Sequence, residues 1–228
     1  MLRKVHCAVT SLAVLALLAP AAWAAAIQSY QATGQFSLEL AGASNPPGAF
    51  PTMASSFSLS PPVGATVHKA FVYTGDWNNS GATLDLVFDT SPNLPSGPIA
   101  SDAAFTTLYG YRWDVTSFVV GVAMSYNFTI GFDVSSTAQG QQIAGAALVV
   151  VWNDPSALNS TVTFVDGALQ VGETTPDTET MTFSGMPAGN TDLHLFTVSD
   201  DAAGTNEVIK YNGNSVGGPI DENVGLGT

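Results

Sequence analysis

Short apolar runs that alternate with polar or small residues, each closed by Gly, Pro, Asn or Asp, recur through most of this chain. A period of two sends successive side chains to opposite faces of an extended strand, so each run describes a sheet with one buried face. In residues 35–40, Phe36, Leu38 and Leu40 share a face. In 66–73, Val67, Lys69, Phe71 and Tyr73 alternate with His68, Ala70 and Val72. In 82–88, Leu84, Leu86 and Phe88 align, and in 126–134 Tyr126, Phe128, Ile130, Phe132 and Val134 do the same. The stretch 143–152 differs, because Leu148, Val149, Val150 and Val151 are apolar without a break. Such a run fits a central strand covered on both sides.

Further strands are expected at 161–165, 168–171, 179–184, 192–199 and 207–211, with one helical turn at 117–120 capped by Asp114 or Thr116. The turn-rich residues 75–81 predict a hairpin between 66–73 and 82–88. About ten strands at this spacing define an all-β chain, an antiparallel β-sandwich or jelly roll with little helix.

The N-terminus adds a location. Arg3 and Lys4 precede an apolar run at 8–19, broken by Pro20, and Ala22-Trp23-Ala24 offers small residues at a cleavage site. This is the pattern of a bacterial-type secretory signal, with cleavage expected after Ala24, and the run is too short to span ~30 Å of hydrocarbon. Residues 25–228 then form one domain. The pattern at 217–225 resembles a strand connection with no strand after it, so truncation of a longer chain is one of two readings.

Cleavage removes Arg3, Lys4 and Cys7. Of five bases, Lys69, Arg112 and Lys210 remain against 18 acids, a formal charge of −15. Three scattered cations build no phosphate-binding surface, which excludes nucleic-acid binding. The mature chain has no thiol for a disulfide, a nucleophile or a metal site, so its stability must come from buried surface, with calcium as the one cofactor its acidity suggests. No transmembrane segment is expected in the mature chain.

Two stretches carry a family resemblance. Trp113-Asp114-Val115-Thr116-Ser117-Phe118-Val119, followed by the strand at 126–134, resembles the strand and Asp-Val-Thr turn unit of galactose-binding-like jelly rolls. Ala70-Phe71-Val72-Tyr73, with the run from Gly145 through Trp152-Asn153-Asp154-Pro155 and Asp166-Gly167, is similar to an uncharacterised β-sandwich domain of bacterial and archaeal secreted and cell-surface proteins. The resemblance implies a surface-associated sandwich and assigns no ligand residues.

The chemistry-bearing residues sort into a few groups. Asp200, Asp201, Thr205, Asn206 and Glu207 concentrate hard oxygen donors around Gly204, a composition that suits calcium or a solvated hairpin loop. Trp77 beside Asp76, Asn78 and Asn79 could stack on a sugar while the polar neighbours bond its hydroxyls. Tyr109, Tyr111 and Trp113 line one face, as core or as a second platform. Gly213-Asn214-Ser215-Val216-Gly217 matches a nucleophile elbow, but Pro219 follows where a helix is needed and no histidine lies beyond His194. A glycosidase needs two facing carboxylates, such as Asp85 and Asp89.

The sequence therefore favours a non-catalytic exported protein at the cell surface or in the extracellular matrix, with a structural or adhesive role. Its partners would be glycans, other surface proteins, or copies of itself meeting through edge strands such as the one around Phe36. The alternative is a calcium-supported carbohydrate-binding module, and a glycosidase ranks below it.

Overall fold

The computed structural model describes residues 27–44, 52–77, 82–101, 108–132 and 142–167, with short strand segments at 195–196, 209–211, 214–217 and 226–227. The expected signal at 1–24 lies outside the described residues, as do the expected strands at 168–171 and 179–184.

Ten strands make two antiparallel sheets. They are β1 (Ile27–Ser44), β2 (Met53–Leu59), β3 (Thr66–Trp77), β4 (Leu84–Phe88), β5 (Leu94–Ser96), β6 (Ala100–Ser101), β7 (Leu108–Asp114), β8 (Met124–Phe132), β9 (Gln142–Asn153) and β10 (Asn159–Asp166). The larger sheet has the order β10-β1-β9-β3-β7-β6, and the smaller has β2-β8-β4-β5. From β1 to β4, and again from β7 to β9, every connection crosses from one sheet to the other. The facing orders β1-β9-β3-β7 and β2-β8-β4-β5 are those of a jelly roll.

That alternation overturns the expected hairpin. β3 pairs with β7 and β9, whereas β4 pairs with β5 and β8 in the opposite sheet. The Gly- and Asn-rich connection turns the chain between layers. Turn chemistry specifies a change of direction and leaves the pairing partner open.

The period-two faces meet as expected. Leu84, Leu86, Phe88, Tyr126, Phe128 and Ile130 of the smaller sheet pack against Val72, Tyr111, Trp113, Leu148, Val150 and Trp152 of the larger. Phe57 stacks on Phe128 at 4.2 Å and Phe88 on Tyr126 at 5.3 Å. The stripe of Tyr109, Tyr111 and Trp113 is core, with Tyr111 wholly buried and Trp113 bonding the Leu94 carbonyl through Nε1. The expected helical turn is a 3-10 turn at Thr116–Phe118. It has no side-chain cap, and Asp114 Oδ1 instead receives the Thr116 N–H.

The larger sheet is also covered on its outer face. Phe71, Ala147, Val149 and Val151 are buried yet belong to no part of the central core. The cover comes from β1, whose 18 residues pair antiparallel first with β10 and then with β9. Gln35 lies opposite Asn159 and Phe36 opposite Asn153, so residues 154–158 face no residue of β1. β9 and β10 thus run in one direction, interrupted by a five-residue bulge.

At this bulge the β1–β10 ribbon folds back. Straight extension would carry Tyr30 about 20 Å beyond Phe36 and away from β3. Instead the Tyr30 ring lies 6.1 Å from Phe71 and 6.4 Å from His68, and Phe164 lies 5.7 Å from Phe71. Gly34 permits the fold, since a Cβ there would meet the Phe36 ring at 2.8 Å. The unbroken apolar run of β9 thus has two cores to serve, one on each side.

Candidate functional site

The two ends of the sandwich differ. At one end β3, β4, β7, β8 and β9 lead into residues 78–81, 102–107 and 133–141, which lie outside the described residues. Asp76 and Trp77 belong to this end, but on β3 and not in a loop, because the strand continues four residues past its expected limit at Tyr73. Inward-facing positions on β3 include Ala70, Val72 and Thr74, and Asp76 continues the series, fully buried. The β9 register shift between Gly75 and Asp76 places Asp76 opposite Ile143 on β9 and Tyr109 on β7.

The Tyr111 hydroxyl donates to the Ala82 carbonyl at 2.8 Å. Burial pushes its pKa up, and the Asp76 charge pushes it further. The structure thus joins Asp76 to two members of the aromatic stripe, a grouping that their separation in sequence hid. Asn78 and Asn79 lie outside the described residues, as do Asp200, Asp201, Thr205, Asn206 and Glu207. Among the described residues, no three of His, Cys, Asp and Glu lie together as a metal site.

A second cluster sits where the ribbon closes on the outer face. Asp166, at the ribbon tip, accepts from the Tyr73 hydroxyl at 3.0 Å and from the Arg112 guanidinium. Arg112 lies 4.8 Å from the centre of the Phe71 ring, and Lys69 Nζ lies 5.3 Å from it. Two of the three bases left after cleavage therefore converge on one phenyl ring. The Tyr73 pKa is raised, first by burial and then by the Asp166 charge, which resists phenolate formation beside it. Lys69 also bonds Asp114.

The Asp-Val-Thr turn is a brace in this structure. Asp114 Oδ1 accepts from both Thr116 N and Thr116 Oγ1, Val115 N donates to the Ala70 carbonyl, and Ala70 N donates to Thr116 Oγ1 at 3.0 Å. Burial opposes ionisation of Asp114, but hydrogen bonds from Lys69 and Thr116 outweigh it and hold the carboxyl below its ordinary range. Asp154 repeats the device in the bulge, taking Ser156 N and Oγ on Oδ1. Glu39, facing inward from β1, accepts from Ser60 N and from Trp152 Nε1.

The other motifs resolve locally. His68 falls in a register shift of β3 and packs its ring 4.6 Å from Phe36. Ser215 lies on Asn214–Gly217, a strand paired with Ile209–Tyr211, so a strand occupies the place where a nucleophile elbow needs a helix. Asp85 and Asp89 are separated by about 13 Å of extended chain, whereas glycosidase carboxylates stand ~5–9.5 Å apart. At the end opposite Asp76, a groove of ≈ 440 Å³ runs beside the bulge, lined by Thr33, Gln35, Phe36, Thr66 and Asn153 among others.

Together these features define an all-β jelly roll with an extra strand ribbon clamped over one sheet. Comparisons with protein-family models, with curated proteins and with solved structures found no match to this chain.

Proposed function

We propose that the protein is an exported, non-catalytic structural or adhesive component of the cell surface or extracellular matrix. The observation that carries this reading is the clamped ribbon. A mature chain without cysteine must hold its shape outside the cell by packing alone. This one adds a second apolar layer, Tyr30, Phe36, Phe71 and Phe164, to an already filled jelly-roll core. It then ties the ribbon tip down through Asp166, Arg112 and Tyr73. Asp114, Asp154 and Glu39 are engaged in bracing the same frame.

The competing reading is glycan binding at the end that carries Asp76 and Trp77, with calcium support from the acidic loop around Gly204. The buried Asp76 carboxylate favours it, since buried ionisable groups concentrate at functional sites. One experiment separates the two. Fractionation of the source cells, with mass spectrometry of the N-terminus, should find the chain outside the cytoplasm and starting at Ala25. Purified protein should show no saturable glycan binding. An intact N-terminus in the cytoplasm refutes export. Glycan binding that needs calcium and is lost in Trp77→Ala moves the assignment to the carbohydrate-binding reading.

A further inference from the structure

Six large apolar side chains are exposed among the described residues, and four of them share one end of the sandwich. Val63 is 98% exposed and Leu158 88%, with Val122 at 59% and Val120 at 47%. Val63 tips the turn between β2 and β3, where Ala65 N bonds the Pro62 carbonyl and Gly64 takes a φ of 78°. Leu158 ends the bulge between β9 and β10. Val120 and Val122 flank Gly121, which lies against the Ala65 carbonyl and Thr66. Thr66 in turn pairs with Asn153, the last residue before the bulge. Three turns thus present their aliphatic residues side by side.

The same turns carry no charge. Residues 60–67, 115–132 and 155–165 contain no Asp, Glu, Lys, Arg or His, in a chain with 18 acids. The ionised groups around them are tied back. Asp154 is buried on Ser156, Glu39 is bonded to Ser60 and Trp152, and Asp114 is paired with Lys69. Two copies of a chain with a formal charge of −15 repel one another over most approaches, but least where both present this neutral apolar end.

We propose that this end is the contact through which two copies of the chain join, related by a two-fold axis. An anionic lipid surface would meet the repulsion of the whole acidic body, whereas a second copy offers a surface that matches in polarity and in lack of charge. A two-fold contact is self-complementary, so each of the four side chains is buried twice. It leaves the Asp76 end free on both copies. The open edges are poorer contacts. β5 contains Pro95, β6 has two residues, and β1 turns Glu39 inward. The inference deepens the structural reading above and rests on it, but its test needs only purified protein, so it can fail while the location of the chain stands.

Sedimentation equilibrium on residues 25–228 should show a monomer–dimer equilibrium with a dissociation constant in the micromolar range. The double variant Val63→Asp with Leu158→Asp should weaken it about 100-fold or more, since like charges would meet across the axis. Both positions are almost fully exposed, so the variant should keep the wild-type circular dichroism and melting temperature. A wild-type chain that stays monomeric at about 1 mM overturns the proposal. So does a dimer that survives in the double variant, which would place the contact elsewhere. Flotation of a monomeric wild type with neutral phosphatidylcholine vesicles, lost in the variant, would replace the second copy with a lipid surface.

Discussion

Replacing Asp166 with alanine should loosen the ribbon while leaving the jelly roll folded. The Asp166 side chain is 8% exposed and holds two donors, the Tyr73 hydroxyl and the Arg112 guanidinium. A bond to a charged group contributes about 1.5–3 kcal/mol, and breaking a fully buried ion pair costs about 3–5 kcal/mol. Arg112 stays 25% exposed and keeps the Phe71 ring as a partner, which moderates the loss. The expected cost is therefore about 2–3 kcal/mol. In a domain of this size each kcal/mol lowers Tm by about 2–4 °C, which gives a drop of about 4–12 °C. Asp166→Asn keeps an acceptor for Tyr73 but removes the charge, and should show about half the effect. A double-mutant cycle of Asp166→Ala with Arg112→Met, followed by urea unfolding, should return a coupling of about 1–2 kcal/mol. Amides in β10 and in residues 27–35 should exchange faster in the variant, while those of β8 should not. Zero coupling, or uniform exchange across both layers, would refute the idea that Asp166 fastens the ribbon.

Three other outcomes follow from the geometry. Gly64→Ala should cost about 1–2 kcal/mol through its left-handed backbone alone, because nothing lies near its added methyl group, whereas Gly97→Ala, equally open, should be neutral in urea unfolding. Leu86→Ala should lose about 2–5 kcal/mol by leaving a cavity between the sheets, while Val87→Ala, 41% exposed on the same strand, should lose little. Burial raises the pKa of Tyr30, Tyr73, Tyr111 and Tyr126 in the folded state. Their stabilisation is then complete below the unfolded value near pH 10 and lost as pH rises through the native values. Phenolate absorbance should rise together with loss of the β-sheet circular dichroism. Smooth titration of all six tyrosines near pH 10 with the sheets intact would contradict this.

Sequence patterning located most strands because alternation is a local property, yet it could not choose partners. Residues 66–73 and 82–88 each read correctly as strands with one apolar face, but those faces look at each other across the core instead of lying side by side. β2 escaped notice because Ser55, Ser56 and Ser58 dilute its three inward residues Met53, Phe57 and Leu59. The uninterrupted run of β9 did report cover on both faces, but the cover is the ribbon, which no local signal announces. Its fold-back depends on five residues left unpaired between two registers on β1, and its fastening joins Arg112 to a carboxylate 54 positions away. Asp76 was legible as a polar residue beside an aromatic one. Its burial follows from how far β3 extends and which way it faces.

The way β1 is shared has a kinetic consequence. Its first residue pairs with Asp166 and its last with Gly145, so the earliest strand to leave a ribosome or a translocon finds no partner until more than a hundred further residues have followed. Neither the layer over the outer face nor the edge of the larger sheet can form before then. Closure over such sequence distances is slow, and local contacts do little to hasten it. A chain built this way stays open for long after synthesis begins, which suits passage through a membrane pore in extended form, and it commits to its native shape only once its ninth and tenth strands arrive.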